Sequence, residues 1–428
     1  MHTPVAWRNT QTSASTTSST SNYITMNIYL LTWNLARNLV DPRQLAVDFF
    51  RAAATNNNSS SSSSSSSSTP VLPDVIVLSL QEIAPIAYAF LGGHQLDPYL
   101  SRIVETLPLA AQHHGAAPDL YRHVLTETLG LTAIMVFATP AAADRIASIQ
   151  TAGVGVGLWD MGNKGAVGVR MALRRPELEL TFVAAHLAPM EAAVARRNAD
   201  WEAIAQNLVF EDSDDGEDSD DDDDKQHGIY SPTARVFVAG DLNYRTRDAP
   251  PSPTDHHTFP QADAPPDSPR HHSQWLKGDQ LTRERAAGRV LHGFDEEPVT
   301  FAPTYKISSR GGWAKHRFPS WCDRILFLEG SGADVHAYTS LPALPSSDHA
   351  PVAMSLSLNP KLPQSDPSHP RNRPPFPLNP DWRQRREAAR RTEVVVGVLA
   401  WLGLTWEGNA VVVAVVVGWA AVYGVWYR

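Results

Sequence analysis

Arg235-Val-Phe-Val-Ala-Gly-Asp-Leu-Asn-Tyr-Arg245 is an apolar, β-branched run that breaks at Gly240 and ends in polar residues. Such a run reads as a strand buried on both faces. In an extended chain, residues two apart point the same way, so Asp241 and Asn243 share a face where the strand ends. A carboxylate there can take a proton or hold a metal, and a carboxamide can donate to an oxyanion. An Asx turn capping the strand accounts for the same pair without any chemistry. The rest of the chain decides between them.

The pattern recurs. Strand-like runs over 27–34, 74–82, 178–186 and 299–306 close on Asn34, Glu82, His186 and Lys306, and the pair Asp348-His349 follows a run over 335–338. Repeated polar ends point to one site at a common edge of two packed sheets. Further strands are expected over 121–138 around Gly130, in a hairpin of 153–158 with 166–171 turning at Asn163 and Lys164, over 322–328 and over 352–358. The glycines from Gly153 to Gly165 alternate as in a strand and lack the order of a dinucleotide fingerprint. Helical spacing appears over 42–54, 97–107, 191–207 and 273–289, so the class is α/β.

The chemistry of the polar ends is coherent. Asn34 and Glu82 offer oxygen ligands suited to a hard cation such as Mg²⁺. Asp241 is a base for a water nucleophile, His186 and His349 can donate to phosphate oxygens, and Asp323 can fix one histidine's tautomer and charge. Metal, base and paired donors are what water needs to attack a phosphoester in line.

At 428 residues the chain can hold one large α/β domain or two ordinary ones. The net charge of -9 misleads, because the acidic block 211–224 outweighs a nearly neutral remainder that can hide a basic site. The single cysteine, Cys322, excludes an internal disulfide and a cysteine-based zinc cluster. The expected organisation is a disordered leader (1–25) and a catalytic domain (26–359) with insertions at 55–70, 211–228 and 248–272. A Pro/Arg-rich linker (360–392) and a membrane anchor (393–428) follow. His256, His257, His271 and His272 sit in the third insertion, read as a mobile loop rather than a metal site.

Several segments carry a resemblance. Thr32-Trp-Asn-Leu35, Gln81-Glu82, His186-Leu-Ala188, Gly240-Asp-Leu-Asn-Tyr-Arg245 and Ser347-Asp-His-Ala-Pro-Val352 resemble the endonuclease/exonuclease/phosphatase superfamily. Gly162-Asn-Lys-Gly165, Arg197-Asn198, Pro303-Thr-Tyr-Lys306 and Pro319-Ser-Trp-Cys-Asp-Arg-Ile-Leu326 are similar to the inositol polyphosphate 5-phosphatases within it. The resemblance implies a four-layer, DNase-I-like α/β sandwich of two packed mixed sheets flanked by helices. It implies Glu82 as the main Mg²⁺ ligand with Asn34 beside it, and Asp348 as a further member of the metal and water network. Asp241 would activate the water, Asn243 would position it or the phosphate, His186 and His349 would contact the scissile phosphate, and Asp323 would pair with His349. Tyr305, Lys306, Lys315 and Arg317, with Arg197 a weaker candidate, would hold neighbouring ring phosphates. Pro189 after His186-Leu-Ala188, where relatives more often carry alanine, and the insertions depart from the family pattern.

The tail adds a membrane. Residues 410–427 are apolar over a length near the lower limit for a span, and 394–406 are too short for one. Either 410–427 is a single anchor, or the two halves form a shallow hairpin turning at Glu407-Gly-Asn409. Arg383, Arg385, Arg386, Arg390 and Arg391 before it favour a catalytic domain on the cytoplasmic side, at an endomembrane such as the endoplasmic reticulum, and can attract anionic lipid. The expected partners are thus a phosphoinositide lipid and a membrane, with no nucleic acid and no disulfide partner. A nuclease or sphingomyelinase of the same fold, and an inactive lipid-binding scaffold, are the alternative readings.

Overall fold

A computed structural model describes residues 25–54, 71–174, 177–211, 226–359 and 367–427. The expected leader up to residue 24, the serine-rich insertion and most of the acidic block lie outside the described residues. In chain order the strands are β1 Met26–Asn34, β2 Val75–Gln81, β3 Arg122–Leu129, β4 Thr132–Ala138, β5 Ile146–Gly155, β6 Gly165–Leu173 and β7 Leu178–His186. They continue with β8 Phe210–Glu211, β9 Gln226–His227, β10 Ala234–Asp241, β11 Phe294–Asp295, β12 Asp323–Leu328, β13 Ala333–Ser340 and β14 Val352–Leu358. The α-helices are α1 Pro42–Asp48, α2 Arg51–Ala54, α3 Ile86–Leu91, α4 Asp97–His113, α5 Pro140–Ala143 and α6 Val194–Asn207. Then come α7 His272–Leu276, α8 Gln280–Ala286, α9 Trp382–Leu404 and α10 Trp406–Trp426.

Two six-stranded mixed sheets form, in the orders β13-β14-β1-β2-β4-β3 and β11-β12-β10-β7-β6-β5. Period-2 alternation explains why they pack. Ile28 and Leu30 of β1 face Phe182 and Ala184 of β7 and Phe237 and Ala239 of β10 in a core between the sheets. Tyr29, Leu31 and Trp33 point the other way, onto Leu45 of α1 and Ile103 and Leu107 of α4. On the outer face of the second sheet, Val236 and Val238 meet Trp201 and Ile204 of α6 and Leu281 of α8. Each such aliphatic side chain contributes about 1.5–3 kcal/mol of burial free energy. The result is the expected four-layer sandwich, and every residue of β10 is buried.

Register sets the site. β1 runs parallel to β2 with Asn34 opposite Gln81, and β10 runs parallel to β7 with Asp241 opposite His186. Antiparallel β12 brings Asp323 opposite Asp241, and β6 brings Gly165 opposite His186. The polar ends of both sheets therefore lie on one edge.

Three local expectations need correction. Residues 299–306 do not form a strand; Tyr305 makes only an isolated bridge to Ser320, and Pro303 has no N–H to offer a ladder. The single helix expected over 273–289 is two. Gly278 lies against the Thr246 carbonyl, where a Cβ would come within 2.6 Å, and Asp279 then caps α8 through the Thr282 N–H at 2.9 Å. The Pro/His insertion has a defined path: Phe259 is buried against Trp275 and Phe318, and His271 and His272 are engaged with Ser273 and the Thr300 carbonyl.

The largest correction is to 360–392. From residue 367 the chain straps the domain rather than linking it to something else. Arg371 is buried and donates to the Glu329 carbonyl, Phe376 packs on the outer core, and the Asn379 N–H donates to Gln206. Helix α9 starts at Trp382 and runs through position 393 unbroken, with Ala389, Glu393 and Gly397 buried. Gly397 lies against Phe90 and Leu91 at the end of α3. The chain breaks at Thr405, whose hydroxyl caps α10 through the Gly408 N–H, so Glu407-Gly-Asn409 is the first turn of α10 and not a hairpin bend. Among the described residues, α10 alone is long and apolar enough to cross a membrane. The candidate anchor begins at 406, and α9 belongs to the domain.

Candidate active site

Asp241 is the centre. Its Oδ1 accepts the Asn243 N–H at 3.1 Å, so the Asx turn is real. Its Oδ2 faces the other way, accepting from Asn34 Nδ2 at 2.9 Å and lying 3.4 Å from His186 Nε2 and 3.9 Å from His349 Nε2. The Asx turn thus engages one oxygen and leaves the other among the polar ends of the neighbouring strands. Burial opposes the charge, but His186, His349 and Lys164 outweigh it and hold the carboxyl well below the usual carboxylate range.

The surroundings push the two histidines in opposite directions. His186 is fully buried; burial and Lys164 keep it below its ordinary value despite Asp241. His349 Nδ1 donates to Asp323 Oδ2 at 2.9 Å, and Asp323 also accepts from Thr304 Oγ1 at 2.6 Å. Burial works against an imidazolium there, but Asp323, Asp241 and Asp348 override it and push His349 up to about 9.

These groups open on a cleft of about 200 Å³ that also exposes Asn34, Glu82, Asn243, Tyr305, Lys306 and Asp348. Of the residues expected to form the site, the structure thus assembles most of them, with Asp323 behind His349. Glu82 adopts φ +48 and Asn243 φ +58, an unfavourable region for side-chain-bearing residues that is kept where the surroundings enforce it. Asn243 is locked by Nδ2 donating to the Leu187 carbonyl and by Arg245 on its Oδ1.

Four expected residues lie otherwise. Arg197 is fully buried and donates to the carbonyls of Ala188 and Met190 and to Gln280 Oε1, with its guanidinium over the Tyr244 ring. It shapes the loop after β7 from the protein interior. Lys315 is exposed outside the cleft, and Arg317 leans on Met190 at its rim. Asp348 reaches the cleft, but its carboxylate pairs with Lys306 rather than joining Glu82.

Lys164 and Arg245, read from the sequence only as turn and motif positions, also line the cleft. Lys164 Nζ approaches His186 Nε2 at 2.5 Å and Glu82 Oε1 at 4.0 Å. It is the residue before Gly165, which pairs with His186, so the strand register would have revealed it. Arg245 stacks over Tyr305 at 4.5 Å and leaves Nη1 buried without a protein partner at the cleft wall.

The donor set fits a hard divalent cation. Glu82, a partly exposed carboxylate paired with Arg37 at 3.0 Å, lines the same cleft as Asn34, whose Oδ1 accepts the Ala36 N–H at 2.9 Å, so both are oxygen donors of the kind such an ion takes. Asp241, Asp323 and His349 also cluster, but their facing atoms are committed to one another.

Residues 31–355 match the family model described as "Endonuclease/Exonuclease/phosphatase family 2". The chain belongs to this family. Phosphatidylinositol 3,4,5-trisphosphate 5-phosphatase 1 of Homo sapiens is 32% identical over 246 residues, covering 54% of this chain and 19% of that protein. Type I inositol polyphosphate 5-phosphatase 8 of Arabidopsis thaliana is 29% identical over 339 residues, covering 68% of this chain and 65% of that one. The chain spans about a fifth of the length of the trisphosphate 5-phosphatases it matches. Among solved structures, the inositol polyphosphate 5-phosphatase domain of SPsynaptojanin, in complex with inositol (1,4)-bisphosphate and calcium ion, aligns with TM-score 0.59 at 23% identity. It covers 86% of this chain and 90% of that one. A Cimex nitrophorin aligns with TM-score 0.50 at 17% identity over 78% of this chain and 99% of that one, so the sandwich alone does not determine the chemistry.

Proposed function

We propose that this chain hydrolyses the 5-phosphate of phosphoinositides such as phosphatidylinositol 4,5-bisphosphate, with Mg²⁺, at a membrane that α10 enters. The carrying observation is the junction at Asp241, where one carboxylate oxygen faces Asn34, His186 and His349 while Glu82 lines the same cleft. The 5-phosphatase names of the curated relatives support the substrate class.

The roles follow from charge. Asp241 stays ionised and orients the attacking water through Oδ2. A carboxylate held this low is a weak base, so its first task is alignment, worth several kcal/mol in a fixed geometry. The His349 imidazolium, fixed by Asp323, donates to a phosphoryl oxygen as charge develops there. Lys164 and Lys306, with Arg245 stacked behind Tyr305, place cations around the phosphates of a multiply phosphorylated ring. Glu82 and Asn34 would hold Mg²⁺, which when bound supplies Lewis-acid stabilisation of the phosphoryl oxygens.

Placement at the membrane rests on α10, whose apolar side chains are exposed. A catalytic domain on the cytoplasmic side, as at the endoplasmic reticulum, agrees with the arginines before the span. Those arginines are largely engaged with the protein: Arg385 with Asp160, Arg386 and Arg390 with Glu393, and Arg391 with Glu387. Arg385 and Arg390, which also donates to the Phe90 and Leu91 carbonyls, tie α9 to the domain, while the pairs of Arg386 and Arg391 lie within α9.

Phosphate release from phosphatidylinositol 4,5-bisphosphate vesicles with Mg²⁺ tests the proposal, with Asp241→Ala as control. Turnover that EDTA and D241A abolish is the expected result. Wild-type release no greater than that of D241A would overturn it, and cleavage of nucleic acid or sphingomyelin in its place would select another chemistry of the same fold.

A further inference from the structure

Helix α9 does more than connect the domain to α10. Glu393, at its middle, is fully buried, and its Oε1 accepts the backbone N–H of Gly162 at 2.8 Å. The Gly162 carbonyl is held from the other side by the Leu131 N–H at 2.9 Å. Gly130 beside it is at φ +52, and a Cβ there would run into the Gly162 carbonyl. Two residues on, the Lys164 carbonyl accepts from the Val156 N–H at 2.8 Å, and its ammonium enters the cleft against His186. A second tie joins the same loop to α9: Arg385 meets Asp160 at 2.8 Å.

We propose that Glu393 is a positioning residue for Lys164, acting through Gly162, so that the docked C-terminal helix sets a cation of the active site. The physical basis is the cost of the alternative. A buried N–H that loses a charged acceptor has no water to turn to, so the turn must shift to satisfy it. Only Asn163 separates Gly162 from Lys164, so that shift reaches the ammonium. The carboxylate is fixed in turn by Arg386 and Arg390, at 3.4 and 3.3 Å. Arg390 also donates to the Phe90 carbonyl at 2.6 Å, which ties α9 to α3. The catalytic consequence rests on the phosphatase reading above; the structural one does not.

The test uses the full-length chain in detergent with water-soluble dioctanoyl phosphatidylinositol 4,5-bisphosphate and Mg²⁺. Glu393→Ala should lower kcat/KM about tenfold, the scale of one buried hydrogen bond. Glu393→Gln keeps the acceptor oxygen and should stay within about threefold of wild type. On a Lys164→Met background, E393A should add no further loss, because the two changes act through one group. The same fold loss on both backgrounds, or no loss on either, overturns the proposal. Amide hydrogen exchange gives a readout independent of turnover: residues 156–165 should exchange faster in E393A and not in E393Q. A silent wild type would sink the phosphatase reading, and unchanged exchange over 156–165 would sink the Glu393 role. Should E393A fail to fold, Glu393→Asp, which shortens the reach to Gly162, is read in the same way.

Discussion

Lys164 Nζ lies 2.5 Å from Nε2 of His186 and 4.0 Å from Oε1 of Glu82, so the nearest neighbour of the ammonium is an imidazole nitrogen. Burial and the lysine together hold His186 below its ordinary range, and burial lowers Lys164 against the pull of Asp241 and Glu82. The cation is thus desolvated and aimed before substrate arrives, which is the condition under which a donor is most effective on a developing charge. Lys164→Met should lower kcat/KM by roughly 10²-fold, the usual loss on removing one such donor. Steady-state kinetics on phosphatidylinositol 4,5-bisphosphate check this, and a variant with unaltered kcat/KM would assign the lysine to structure alone.

The His349–Asp323 pair sets a pH dependence. His349 is pushed up to about 9, above its ordinary 6.5, so its charged form is the native one. Its contribution to stability is fully present below about 6.5, the unfolded value, and is lost as pH rises through about 9. Activity that needs the imidazolium should fall on the same alkaline limb. Asp323→Asn removes the strongest of the raising partners and should shift that limb to lower pH. A pH–rate profile from 6 to 10 for both proteins measures the shift; coincident limbs would show that His349 acts uncharged.

Much of this was legible from residue pattern. Strand ends at Asn34, His186 and Asp241, and Glu82 one residue past the end of β2, follow from apolar runs breaking on polar residues, and the parallel pairs that bring them to one edge obey ordinary packing rules. What stayed hidden depended on partners distant in sequence. Nothing local marks Glu393 as the acceptor for Gly162, 231 residues away, or separates a docked helix from a linker when both are rich in arginine. Residues 299–306 have a strand's composition but are drawn out of a ladder by Pro303 and the Thr304–Asp323 bond. Arg197 entered as a weaker candidate through the resemblance, and a motif match does not say which way a helix turns its side chains.

Arg197 therefore yields a prediction of the opposite kind. Its guanidinium satisfies the carbonyls of Ala188 and Met190 from the protein interior, and burial with Arg245 pushes it down to about 10. Arg197→Ala would orphan those acceptors at a cost on the order of 3 kcal/mol. Urea unfolding should show a lower midpoint at unchanged slope. Among properly folded molecules KM should change little. A raised KM with an unaltered midpoint would return Arg197 to the substrate side.

The position of α10 leads to the last test. Val411 to Val417 and Trp419 to Tyr427 are largely exposed and apolar, a surface that water does not tolerate but a bilayer does. Val416 is at the helix centre, where an arginine costs about 2.5–3.5 kcal/mol on insertion. Val416→Arg should move the protein from a carbonate-resistant membrane fraction toward the supernatant. Because α10 contributes nothing to the cleft, turnover of the water-soluble dioctanoyl substrate should survive while turnover of vesicle-embedded lipid falls. Loss of both activities together would mean that α10 supports the fold of the domain and not its placement. A wild-type chain that carbonate extracts as readily as V416R would remove the membrane from the account altogether.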